Sequence, residues 1–141
     1  MEQRPDFQDL MASVGFLLLQ WGELEDVVAR AIVRLSGGDG GPATANFKRW
    51  ADLQIEAHPD TINDVNEIGA VLDPVRQLRN LVAHGIIGAS ADYDRYSEPT
   101  LRCVDFDGRQ QDLGLSKIQH AIREIERQKP RIDRFAPSAH P

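Results

Sequence analysis

A chain of 141 residues, 41% hydrophobic and 27% charged, has globular composition and enough length for one domain with a real core, but too little for two ordinary ones. A formal net charge of −6 and a pI near 5.1 argue against nonspecific binding along duplex nucleic acid, which rests on a basic surface. No apolar run approaches the roughly 20 residues that span a bilayer, so no membrane segment is expected.

The start, Met1-Glu2-Gln3-Arg4-Pro5-Asp6, is polar and lacks the apolar core of a secretion signal, and the lone Cys103 can form neither an internal disulfide nor a zinc site by itself. Both features predict a cytoplasmic protein. After Pro5, Asp6 is the expected N-cap, and Phe7, Leu10, Val14, Leu17, Leu18, Trp21, Leu24, Val28, Ala31 and Leu35 keep helical three-and-four spacing. The spacing predicts one long helix to about Ser36, closed by the glycine-rich loop of 37–43. That loop lacks the spacing of a phosphate-binding loop and does not follow a strand, so it reads as a connection.

Thr44 is the expected cap of a second helix through about Ala57, with Pro59 ending it. Thr61 is the expected cap of a third that reaches His84 or Gly85. Pro74 lies inside this pattern, but the apolar positions keep their phase from Ile68 through Leu72 to Val75, which predicts a kinked but continuous helix. Across 86–114 the helical period disappears. Thr100–Phe106 followed by Asp107-Gly108 predicts a β-hairpin, with Tyr93 and Tyr96 in a preceding loop. The two tyrosines can stack on a base, although covering the end of the helices is their more usual use. Ser116 and Gln119 have capping-box spacing, and Ile118, Ala121, Ile122 and Ile125 line a fourth helix that should end before Pro130, leaving 131–141 as a tail that packs through Ile132 and Phe135 or is mobile. The sum is an all-α, or mainly α, fold: a four-helix up-and-down bundle with a short β-hairpin inserted between helices 3 and 4, forming a single domain over 1–141.

Clustered chemistry occurs at the end of the third helix. On a wheel of about 100° per residue with Arg79 at zero, Arg76 falls at roughly 60°, Asn80 at roughly 100° and His84 at roughly 140°. Ile68, Val71, Leu72, Val75, Leu78, Leu81 and Val82 gather on an arc of about 180° that begins near Leu81 and ends beside Arg79, which is therefore the core face. Gly85 is expected to close the helix in a left-handed conformation. His84 then sits in the last turn, where the partial negative charge of unpaired carbonyls favours imidazolium.

The pattern of Arg79, Asn80, three residues and His84 resembles the signature of the HEPN (higher eukaryotes and prokaryotes nucleotide-binding) domains, an Arg followed after four to six residues by a His, often with a polar residue just after the Arg. The Ala83-His84-Gly85 ending, the place of the motif at the end of a third helix, and a long first helix carrying Trp21, Leu24 and Glu25 extend that resemblance to the architecture. The resemblance implies an endoribonuclease that needs neither metal nor cofactor, of the kind used as a toxin in toxin–antitoxin pairs or in phage defence. His84 then moves a proton as the RNA 2′-oxygen attacks phosphorus, Arg79 stabilises the phosphate charge, Asn80 orients the imidazole or binds phosphate, and Arg76 adds substrate-binding charge. Glu25 is an accessory candidate. The resemblance further implies a homodimer whose third-helix ends share one cleft, with RNA or nucleotide as ligand and a nucleotidyltransferase antitoxin as a candidate partner. Where one toxin subgroup has a Tyr two residues after the motif His, this chain has Ile86, so regulation through that Tyr is not implied.

Two other readings stand beside it. One is a noncatalytic module of the same fold that binds nucleotide, RNA or a partner protein. The other is purely structural: His84 bonded to helix carbonyls, Arg79 paired with Glu23, Glu25 or Asp26, and Asn80 capping another segment. His58, His84, His120 and His140 are scattered without ligand spacing, which predicts no metal, and no nucleophile elbow appears.

Overall fold

The computed structural model describes residues 4–37 and 46–135. The fold is mainly helical: α1 (Phe7–Leu35), α2 (Phe47–Ala57), α3 (Ile62–His84) and α4 (Leu115–Arg134), with β1 (Ile86–Ser90), β2 (Thr100–Val104) and β3 (Gln110–Gly114) between α3 and α4. A short 3-10 turn, Pro59–Thr61, separates α2 from α3. Among the described residues no helix is long and apolar enough to cross a membrane. The chain divides into two compact units, Met1–Gln20 with Val75–Arg123, and Trp21–Pro74 with Glu124–Pro141, the divisions falling inside α1, α3 and α4.

In the first unit, α1 opens with a reciprocal cap: Asp6 Oδ1 accepts from the Asp9 amide at 2.9 Å, and Asp9 Oδ2 accepts from the Asp6 amide at 2.8 Å. Leu10 and Leu17 of α1, Val75 and Val82 of α3, Leu101 and Cys103 of β2, Leu113 of β3, and Ile118, Ala121 and Ile122 of α4 are among its buried side chains. Each fully buried Leu or Ile is worth about 1.5–3 kcal/mol relative to exposure. The expected hairpin is part of a larger sheet, antiparallel in the order β1-β2-β3. Its β2–β3 turn has Gly108 at φ 79° and the Gly108 amide bonded to the Asp105 carbonyl at 3.0 Å, a tight turn finished by a left-handed glycine. Asp105 fixes the turn, its Oδ1 accepting from the Asp107 and Arg109 amides at 3.0 and 2.9 Å and its Oδ2 from the Gln111 side chain at 2.9 Å. These donors hold its carboxyl below the usual carboxylate range.

α4 begins at Leu115, so Ser116 lies within its first turn and is not the cap expected from its spacing. The capping acceptor comes from the loop before β2, where Glu98 accepts from the Ser116 amide at 2.6 Å and from its hydroxyl at 2.8 Å. Gly114 makes room for it, since a Cβ there would run into the Glu98 carboxylate. A carboxylate at a helix N-terminus satisfies an orphan amide and meets the positive end of the helix dipole.

In the second unit, Trp21, Leu24, Val28, Ile32, Trp50, Val65, Ile68, Leu72, Ile125 and Ile132 are buried. Trp21 lies 5.6 Å from Phe47 between ring centroids, and Trp50 lies 6.4 Å from Phe135. Asn46 caps α2, its side chain accepting from the Arg49 amide at 3.0 Å. Thr44, the expected cap, lies outside the described residues, as does most of the glycine-rich loop. Thr61 does not cap α3 either: its hydroxyl turns back to the His58 carbonyl at 2.7 Å.

α3 is continuous through Pro74, and α4 also runs through Pro130, where the sequence predicted an end. Both prolines deprive a carbonyl four residues earlier of its donor. Those carbonyls belong to Ala70 and Glu126, which are exposed, so water can replace the missing bond.

Candidate functional site at the end of helix α3

Arg76, Arg79, Asn80 and His84 all belong to the last turns of α3 and to the first unit. Val75 and Val82 are buried on the core side, Arg79 and Asn80 are half-buried, and Arg76 and His84 are exposed. Burial therefore grades around the helix, from Arg79 beside the buried positions, through Asn80, to the exposed Arg76 and His84.

Arg79 Nη1 donates to Asn80 Oδ1 at 3.1 Å. A guanidinium only donates, so the oxygen of the Asn80 carboxamide is the atom committed to this bond and its NH₂ group is the one left to donate elsewhere. Arg79 Nε is buried without a hydrogen-bond partner. The cation is thus fixed on one side and retains an unmet donor on another. His84 is exposed, and among the described residues its imidazole makes no hydrogen bond. The arrangement in which His84 is buried against backbone carbonyls is therefore not the one found.

Glycine at position 85 is required for a reason other than the one the sequence suggested. Among the described residues those with positive φ are Gly37 and Gly108, and Gly85 is not one of them. Its amide donates to the Leu81 carbonyl at 2.8 Å, and its carbonyl accepts from the Val104 amide at 2.8 Å. A Cβ there would run into the Val104 carbonyl oxygen and come within 3.0 Å of the Leu81 carbonyl oxygen. Gly85 is needed for close approach of backbones, and it ties the helix end carrying His84 to the central strand.

The acids proposed as alternative partners of Arg79 are engaged elsewhere: Glu23 with Lys129 at 2.8 Å, and Asp26 with Arg30 at 3.0 Å. Glu25 is half-buried and belongs to the second unit. Tyr93 donates its hydroxyl to the Pro5 carbonyl at 2.7 Å, with the Arg4 guanidinium 4.2 Å from its ring centroid, so this ring fastens the segment before α1.

Sequence reasoning passed over Arg102. It pairs across strands with Gly88 and Asp112, and its guanidinium lies against Gly88 so closely that a Cβ there would collide with it. Its Nε, like that of Arg79, is buried without a partner. The alternation of β2 was the available signal, since it puts Arg102 on the face opposite Leu101 and Cys103.

Among the described residues no three His, Cys, Asp or Glu side chains come together as a metal site. The α3 terminus thus places an exposed imidazole within a turn and a half of a half-buried guanidinium, at the negative end of a helix dipole. No protein-family model, curated sequence or solved structure matches the chain.

Proposed function

We propose that the chain is a HEPN-like, metal-independent endoribonuclease that acts as a cytoplasmic homodimer, in the manner of a toxin or a phage-defence nuclease. In this reading the four helices pack as an up-and-down bundle and the sheet is an insertion after α3. The observation that supports it most is the exposed imidazole of His84, which makes no hydrogen bond among the described residues, at the helix end that carries the bonded Arg79–Asn80 pair.

A 2′-oxygen attacks the neighbouring phosphorus, the bond from phosphorus to the 5′-oxygen breaks, and the products are a 2′,3′-cyclic phosphate and a 5′-hydroxyl. One proton leaves the 2′-hydroxyl and one reaches the departing oxygen, so the two His84 residues of a dimer can serve as base and acid. Arg79 meets the charge on the phosphate oxygens with the donors that Asn80 leaves unused, and Arg76 raises the local potential. Arg79 and His84 are about 140° apart around α3, and a second copy of the helix end closes the site that one copy leaves open.

The test is cleavage of single-stranded RNA in EDTA by the wild type, Arg79→Ala and His84→Ala. Cleavage with cyclic phosphate ends that drops at least about a hundredfold in each variant supports the reading. Tight RNA binding without cleavage by folded wild type favours the noncatalytic module instead.

A further inference from the structure

The two edges of the sheet are unlike. β3 shows Gln110, Gln111 and Asp112 to solvent, a polar and charged rim of the kind that keeps an edge from pairing further. β1, the other edge, carries no such rim: from Gly85 to Ala91 the chain has neither charge nor proline, and Ile86 and Ile87 are 43% and 58% exposed. Its irregularity lies between Ile86 and Gly88, and from Gly88 to Ser90 it pairs with β2 in unbroken register. Alternate backbone groups of an edge strand point away from its neighbour. Beyond the ladder to β2, residues 86–90 make no backbone hydrogen bond to other described residues.

Arg102 leans over this open edge. Asp112 stands beside it in the ladder, but its Oδ1 accepts from the Gln110 side chain at 3.2 Å, and Arg102 makes no ion pair or hydrogen bond with any described side chain. The guanidinium lies over β1 instead, where a Cβ at Gly88 would run into its Nη2 and come within 3.0 Å of Cζ and Nε. Glycine weakens a strand, and here it leaves the room that brings a cation over the edge. In a chain of net charge −6 carboxylates are plentiful, and still none meets this half-buried guanidinium. A charge drawn partly out of water without a partner is costly, and a carboxylate supplied from outside would offset that cost.

We propose that β1 accepts an added strand from a partner protein, an extended acidic segment whose carboxylate, set opposite Gly88, pairs with Arg102. A strand added there lies about 4.8 Å beyond β1, and its residue opposite Gly88 projects from the same face as Arg102. A carboxylate at that position is within reach of the guanidinium. The edge offers backbone donors and acceptors in alternation, which matches another peptide backbone and not a phosphodiester, whose oxygens only accept. A second copy of β1 does not fit: Gly88 opposite Gly88 sets Arg102 against Arg102, and no residue from 85 to 91 supplies a carboxylate in any register. The proposal does not depend on the nuclease reading.

Titration of the isotope-labelled full chain with blocked heptapeptides of alternating Thr and Val, carrying Glu, Gln or Lys at the centre, tests it by NMR. The Glu peptide is expected to move the amide signals of residues 86–90 most and to bind at least about tenfold more tightly than the Gln peptide, with the Lys peptide weaker still. This comparison needs no variant. Arg102→Gln should abolish the preference for Glu over Gln, and Arg102→Glu should turn it toward Lys, both with unchanged circular dichroism because Arg102 makes no internal hydrogen bond. Binding that ignores the central residue, or that moves signals away from β1, overturns the proposal, as does no binding of the Glu peptide at about 1 mM. A single-stranded RNA oligonucleotide that moves the β1 signals in wild type and not in Arg102→Gln overturns it in favour of a nucleic-acid contact.

Discussion

His84 and Gly85 are adjacent in the chain and opposite in what they do. His84 is exposed and makes no hydrogen bond among the described residues, so His84→Ala should change unfolding free energy by less than about 0.5 kcal/mol. Gly85→Ala forces a methyl group against the Val104 carbonyl and should cost about 1–3 kcal/mol. Urea unfolding of the two variants checks both values. A stability loss from His84→Ala equal to that from Gly85→Ala would mean that the imidazole is a packing residue. Arg79 is intermediate, half-buried and bonded to Asn80, so its replacement is expected to lower stability and, under the proposed function, cleavage as well. In the proposed nuclease, Lys at this position would retain the charge but lose the planar fork by which one side of the guanidinium holds Asn80 while another is free to meet phosphate.

At the scale of elements, the β2–β3 hairpin depends on one carboxylate. Asp105 is held by three donors and its pKa is lowered, so folding is favoured by its ionised form. A depressed folded pKa gives stability that is present above the ordinary value of 3.8 and is lost as pH falls through the folded value. Wild type should therefore exceed Asp105→Asn in stability at neutral pH, with the gap closing as the solution is acidified below about pH 4. Thermal melts across pH 2.5–7, roughly the range over which carboxylates titrate, would show it. A gap constant over that range would mean that the side chain acts through shape alone.

The helices were legible in the sequence because apolar spacing reports burial directly, and for the same reason so was the side of α3 that carries Arg76, Arg79, Asn80 and His84. Strand β1 was not legible: Ile86-Ile87-Gly88-Ala89-Ser90 is short, and an irregularity in its pairing between Ile86 and Gly88 breaks the alternation by which a strand is known. Caps were misread where the acceptor is distant in sequence, as Glu98 is from Ser116. Proline was misread at position 130 because its cost depends on whether water reaches one carbonyl, which the sequence does not state.

For the molecule as a whole, a single thiol can report when the structure opens. Cys103 is buried in the central strand, and burial together with the negative charge of Asp112 pushes its pKa above the usual thiol range. A neutral, enclosed thiol reacts slowly, since the thiolate is the nucleophile. Labelling by a thiol reagent at neutral pH should track unfolding, rising in urea with the same midpoint as circular dichroism, and fast labelling in buffer would show that β2 opens without global unfolding. The raised pKa also has a sign: its stabilising contribution is complete below the ordinary thiol value of 9.0 and declines as pH rises beyond it toward the folded value.

The tie between Gly85 and Val104 also bears on how the motif tolerates change. In a library randomised at both positions and sorted only for folded protein, position 84 should accept most residues and position 85 little besides glycine. Under the proposed toxin function, the same library sorted instead for toxicity to the host cell should narrow at position 84 as well. The difference between the two sorted populations then separates what the α3 terminus needs for its shape from what it needs for its chemistry.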